Sequence, residues 1–348
     1  MQLQSTHLLL LDGEVEPSDV VILLQTRLPT LTRIDGEHWR LSRHGSVVGP
    51  VELTAADRVA LGIDETIEAV FGLEIPRERE ASPPPSWLAD REGLHLAFPE
   101  GLPTRGEGRA LELLIDVARR LHLSIRLADE PSTGARPDEP STGARPDEHS
   151  GSGAPAPRII TPDPGDAVDL CVFSAYWLSP ETLEPLARRV APTAELAIAT
   201  QEWHGPPPGL VNEPGDGADA DLTEEQRVAL HARSDQFDAE ALAGEEVLDG
   251  YAIVCPLPGG AIELRVHVAE ELPAALGGID WGDIDVTEYE VRWTDAGEER
   301  YTADPSEEFI EARESARPIV ERLSRALAEA VNGEIVDEFG FLVNRHQL

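Results

Sequence analysis

His231, Asp235 and Asp238 lie at i, i+4 and i+7 behind Thr223-Glu-Glu-Gln226, a capping box that predicts a helix running to about Leu242. That spacing places an imidazole and two carboxylates on one helical face, a partial ligand set for a transition metal that needs further donors from elsewhere. A second acidic group, Asp280, Asp283 and Asp285, has Glu288 and Glu290 close behind it. Clustered carboxylates of this kind suit a hard cation such as calcium. Neither group carries a metal-site motif: H-E-x-x-H, C-x-x-C and D-x-[DN]-x-[DN]-G are all absent. Among 66 acidic residues such groupings arise by chance. A solvated helix face and a solvated turn are the plainer readings.

The stretch Gln201 to Asp221 joins Trp203 and His204 to Gly205 and three prolines, Pro206 to Pro208. A segment this long without element signals suits either an exposed edge that binds another protein or a surface crossing whose tryptophan folds back onto the core. Gly101, Gly106 and Gly108 precede an amphipathic helix, where free amides could cradle an anion. Their spacing fits neither the dinucleotide nor the P-loop fingerprint, and Glu100 and Glu107 would repel a phosphate, so an ordinary loop is the simpler account. No G-x-S-x-G elbow is present, and Ser174 has no assignable histidine or acid partner, so the sequence designates no catalytic residue.

All 28 basic residues are arginines. Without lysine, a P-loop lysine, a kinase β3 lysine, a Schiff-base or pyridoxal phosphate anchor and an S-x-x-K centre are excluded, and no cofactor is expected. The net charge of −38, with acids mixed among the arginines, opposes direct contact with a phosphate backbone. Cys171 and Cys255 sit in apolar strand-like contexts and read as buried, reduced thiols. No apolar run reaches the roughly 18 residues of a membrane helix, and the four-leucine run Leu8 to Leu11 lacks the cationic start of a signal peptide. A cytoplasmic protein without membrane contact is expected.

Asp129 to Pro137 is repeated at once as Asp138 to Pro146, and proline, glycine and serine continue to Pro157. A flexible linker absorbs such an insertion easily, whereas a packed element would lose its register. The predicted organisation is therefore an α+β part over 1–128, a linker over 129–157 and an α+β part over 158–348.

The first part should hold a strand over Thr6 to Leu11 and a helix over Pro17 to Leu28. Strands over His38 to Ser42 and Val47 to Leu53 and a short helix over Glu65 to Phe71 come next. A strand over Leu94 to Phe98, the helix Arg109 to His122 and alternation at Leu123, Ile125 and Leu127 follow. In the second part, Val168 to Ser174 is a strand, and Ser179-Pro180 opens a helix burying Leu183, Leu186, Ala187 and Val190. Glu195 to Ala199 is the next strand, and three more are expected over Tyr251 to Val254, Ala261 to Val268 and Val286 to Trp293. A helix start capped by Asp304, a final helix turning Ile319, Leu323, Leu327, Ala330 and Val331 inward, the strand Ile335-Val336, and a turn at Glu338 to Gly340 before Phe341 to Val343 complete the chain. Because each strong helix leads into a strand, helices packed on a mixed sheet are expected in each part. Ala118-Arg119-Arg120-Leu121 and Ala187-Arg188-Arg189-Val190 end two helices alike, a hint of related strand–helix–strand units.

Three functions compete on this footing. A non-catalytic module that binds another protein leads, because the motifs of known chemistries are missing. A hydrolase-type enzyme, metal-dependent or not, with a site built from His204, His231 or the carboxylates is the main alternative. An acidic mimic of nucleic acid rests on charge alone.

Overall fold

The computed structural model describes residues 2–85, 88, 90–129, 158–197, 250–282, 284–295, 297, 299–302, 305–346 and 348. The first unit runs β1 (His7–Asp12), α1 (Pro17–Arg27), β2 (Thr32–Asp35), β3 (His38–Arg40), β4 (Ser46–Glu52), α2 (Ala55–Leu61) and β5 (Ile67–Glu74). It continues with α3 (Leu94–Ala97), α4 (Arg105–Leu121), β6 (Ser124–Arg126) and β7 (Ile159–Ile160). The second runs β8 (Leu170–Ser174), α5 (Pro180–Val190), β9 (Glu195–Ala197), β10 (Gly250–Leu257), β11 (Gly260–Val268) and β12 (Thr287–Asp295), then α6 (Glu307–Val331), β13 (Glu334–Asp337) and β14 (Leu342–Val343).

Each unit contains a seven-stranded sheet, in the orders β2-β3-β4-β5-β1-β6-β7 and β14-β13-β8-β12-β11-β10-β9. Read from opposite ends, these are the same topology. β1 lies between β5 and β6, as β8 lies between β12 and β13, with Leu9 opposite Phe71 and Ile125, and Val172 opposite Tyr289 and Ile335. Proline is the first residue of both equivalent helices, α1 and α5, where its missing N–H costs nothing. α4 and α6 both end on a residue in the left-handed region, His122 (φ 58°) and Asn332 (φ 47°), two residues before the first residue of the next strand. The arginine-pair echo does not mark this relation. It falls on α4 and α5, which are not equivalent, and reflects the cations a helix C-terminus favours.

The α+β class holds in both units, and every strand pairing among the described residues is antiparallel where a mixed sheet was expected. Residues 67–74 form a strand, not a helix: Val70, Phe71 and Leu73 are buried on both faces of the sheet, and a short apolar run has no periodicity to reveal this. The strand expected over Leu94 to Phe98 is a helical turn, with Asp90 accepting the His95 amide at 3.1 Å and Leu96 left 88% exposed. α6 is capped by Ser306, whose hydroxyl accepts the Phe309 amide at 3.2 Å; Asp304, the expected cap, lies outside the described residues. Along α6, Leu323, Leu327 and Val331 are buried as expected, while Ala330 faces solvent.

α1 and α4 cover one face of the first sheet around Leu9, Phe71, Leu114 and Ile125. α5 and α6 cover the equivalent face of the second around Val172, Leu264, Tyr289 and Leu323. Two strand-level findings tie the units together. β7, from beyond the 129–157 segment, pairs with β6 of the first sheet. The turn between β13 and β14 enters the first unit: Phe341 is fully buried in its core, and Phe339 lies under the guanidinium groups of Arg119 (4.4 Å) and Arg91 (5.5 Å). Arg91 also pairs with Asp166 at 3.2 Å and Glu338 at 3.4 Å, and Arg120 with Asp337 at 3.8 Å. No helix among the described residues is long and apolar enough to cross a membrane.

Candidate binding face

The two units diverge most at one equivalent connection. Between β4 and β5 the chain folds into α2, fastened by a capping box in which Thr54 accepts the Asp57 amide (3.2 Å) and Asp57 accepts the Thr54 amide (2.9 Å). Its Leu61 joins Leu8, Leu10, Leu53 and Val70 to close the outer face of the first sheet. Between β11 and β12, the described residues of 269–286 form only a short 3-10 turn, Ala274–Leu276. Leu276 is fully buried against Phe173, Val286 and Val336. Leu272 (40%), Ile279 (38%) and Ile284 (60%) stay exposed, interleaved with Glu270, Glu271, Asp280 and Asp285. These three side chains lie on one connection; a contiguous apolar patch marks a binding site, whereas singly scattered exposed apolar residues are ordinary.

A groove of about 450 Å³ opens where this connection meets the sheet and the β13–β14 turn. Phe173 and Val336 give it an apolar floor, and Glu271, Glu288 and Glu338 give it negative charge. Arg27, the one arginine among its lining residues, is 3.6 Å from Asp116 and stacks on Phe341. Burial, then repulsion from Glu290, pushes the Glu288 carboxyl above its ordinary value. Burial likewise raises Glu338, whose Oε2 is 3.4 Å from Arg91 and from Arg300 while its Oε1 is buried without a hydrogen-bond partner. Burial, with Glu288 and Glu290 adding repulsion, raises the Cys171 thiol far beyond its ordinary range, so it supplies no thiolate. Cys255, fully buried, is pushed up to about 11 by burial.

On the central strands of this face charge alternates in sign across the ladder: Glu263 lies opposite Arg292, Arg265 opposite Glu290, and His267 opposite Glu288. A nucleic-acid mimic needs carboxylates in an unbroken row, and these strands do not present one.

Of the residues singled out in the sequence, Asp280 and Asp285 lie exposed on the 269–286 connection, with Asp280 accepting the Gly282 amide at 3.0 Å as a turn residue does. Asp283 lies outside the described residues, as do Trp203, His204, His231, Asp235 and Asp238. Among the described residues no three histidine, cysteine or acidic side chains are grouped to hold a metal ion. Gly106 and Gly108 lie in the first turn of α4, which starts at Arg105, and Gly101 in the segment before it. The Glu78 carboxylate accepts the Gly106 amide at 2.8 Å, and a Cβ on Gly101 would sit 2.1 Å from the Glu80 carbonyl oxygen. These glycines permit close backbone approach. Ser174 donates to the Val331 carbonyl at 2.7 Å and accepts the Tyr176 amide at 3.1 Å, a joint between β8 and α6.

Two polar clusters were not foreseen, because their members lie far apart in sequence. In the first, His7 Nδ1 accepts the Ala128 amide at 3.2 Å, so its Nε2 donates to Glu107 at 3.0 Å. Burial holds His7 below its ordinary value. Burial would raise Glu107, but hydrogen bonds from His7, Arg79 and the Glu78 amide outweigh it and hold the carboxyl at about 2. The second lies at the junction of the units, where a cleft of about 320 Å³ is lined by Asp90, His95, Asp116, Arg119 and Phe339. Asp116 is pushed up to about 7, mainly by burial and further by Asp337 and Glu112, against the pull of Arg27 and Arg119.

No protein-family model matches the chain, and neither a curated protein nor a solved structure matches it.

Proposed function

We propose that this protein is a non-catalytic binding module that engages another protein through the outer face of its second sheet. The observation that carries the reading is the divergence of one equivalent connection: in the first unit it closes the outer face with a capped helix, and in the second it leaves an acidic, apolar-studded loop beside a groove. Interfaces of this kind center on apolar anchors ringed by polar groups.

The test immobilises the full chain and two double variants. Leu272→Asp with Ile284→Asp alters the loop, and Ile22→Asp with Val59→Asp alters two exposed apolar residues of the first unit. Proteins retained by the wild type and the first-unit variant but lost by the loop variant support the reading. Equal recovery on all three overturns it.

A second reading, a hydrolase-type enzyme, draws on the junction cleft, where Asp90 and His95 of one turn and Asp116 of α4 line one cavity and Asp116 titrates near neutrality. Turnover of ester or phosphoester substrates that disappears in Asp116→Asn would favour it. Equal turnover in the variant would remove Asp116 from that role.

A further inference from the structure

We infer that the groove between the 269–286 connection and the β13–β14 turn receives a basic peptide segment of the partner, an arginine or lysine side chain entering beside Glu271 and Glu288 while a neighbouring apolar side chain rests against Leu272 at the rim. This rests on the binding-module reading and adds the chemistry of what is bound.

Charge selects the occupant. Arg27 is already committed to Asp116 and to the Phe341 ring, and whereas Arg91 and Arg300 hold Glu338 and Arg120 holds Asp337, Glu271 and Glu288 have no ion pair among the described residues. Glu338 contributes to the negative field of the groove from its wall, with its Oε2 held by Arg91 and Arg300. An incoming cation supplies donors and charge together, and such charge-assisted bonds are the stronger kind. A second copy of this chain is a poor occupant, because two bodies at −38 repel. Nucleic acid is opposed by the same field. The apolar component is equally specific in place: Leu272 stands 40% exposed at the rim, over a floor whose Phe173 is nearly fully buried. A volume of about 450 Å³ suits a few side chains of an extended segment.

The experiment titrates the full chain, followed by fluorescence anisotropy, with a labelled nine-residue peptide alternating arginine and leucine, and with the same peptide carrying glutamine in place of arginine. Because a chain this acidic attracts any polycation, a charge-matched control is needed. Glu271→Gln with Glu288→Gln removes two charges at the groove, and Glu314→Gln with Glu329→Gln removes two from exposed positions on α6. The expected result is at least about tenfold weaker binding of the arginine peptide to the groove variant than to the control variant, with the glutamine peptide weak throughout. Equal losses in the two variants would mean attraction by net charge alone and would overturn the inference, as would equal affinity for the two peptides. Glu271 is exposed, so Glu271→Gln alone leaves folding intact and must still weaken binding severalfold. If the peptides fail while the Leu272→Asp, Ile284→Asp variant still loses its cellular partners, the basic-segment inference falls and the binding-module reading stands. If both fail, both fall.

Discussion

The two units trace the same path through space, yet one is sealed on both faces of its sheet and the other on only one. In the first, Leu8, Leu10 and Val70 point outward from the main core and are roofed by α2. In the second, the corresponding strands carry Cys171, Phe173, Glu288, Glu290 and Arg292, and only Leu276 with its few neighbours covers the apolar end. The shared topology explains stability in both. Where a repeated plan departs from itself, some requirement other than stability has shaped the residues, and that is the place to look for an activity.

The largest effect should come from the turn that crosses between the units. Phe341→Ala empties a fully buried site in the first core, so denaturant unfolding should show a loss of about 3–5 kcal/mol. If the units were independent bodies, only the second would respond, and a transition of the first unit that stayed put would break the comparison drawn here. Glu107→Gln comes next, because it leaves His7, Arg77 and Arg79 without their buried carboxylate. We expect a cost of about 3 kcal/mol, seen as a lowered unfolding midpoint at pH 7. Since Glu107 is held below its ordinary value of 4.5, at about 2, its contribution is complete above about pH 4.5 and is lost as pH falls toward 2. The variant's stability should therefore converge on that of the wild type in acid.

A paired substitution sharpens the contrast of the outer faces. Leu61→Ala should cost about 2–5 kcal/mol, and Leu272→Ala less than about 0.5 kcal/mol. Similar costs at both positions would show that the second face is as closed as the first. The smallest effect has the opposite sign. Asp116 lies above its ordinary value of 3.8, at about 7, so its favourable contribution is complete below about pH 3.8 and is lost as pH rises through 7. Asp116→Asn should accordingly gain about 1 kcal/mol at pH 8 and nothing at pH 4, measured by thermal unfolding across that range. A gain independent of pH would place the strain elsewhere.

Much of the fold was legible because apolar side chains repeat at helix and strand intervals. The helices at Pro17, Arg109 and Pro180 and the strands at Leu8, Val172 and Leu264 needed only local pattern. What stayed hidden depended on distant partners. Residues 67–74 look helical by composition but lie beside β1 in the middle of a sheet, and α2 is announced only by Thr54 and Asp57, a short box easily passed over. The candidate face was half legible: Asp280 and Asp285 mark the right loop, but as turn residues, while Glu271, Glu288 and Glu338 come from three separate elements that no spacing rule connects. Likewise, Glu107 could be named as a repeller of phosphate, but not as the partner of His7 a hundred residues away.

The insertion of Phe341 also dictates an order of events during synthesis. The ribosome delivers β1 through β7 long before it delivers the β13–β14 turn, so the earlier unit must wait with an unfilled socket until the later one is made. A nascent chain stalled before Phe341 would leave that socket empty.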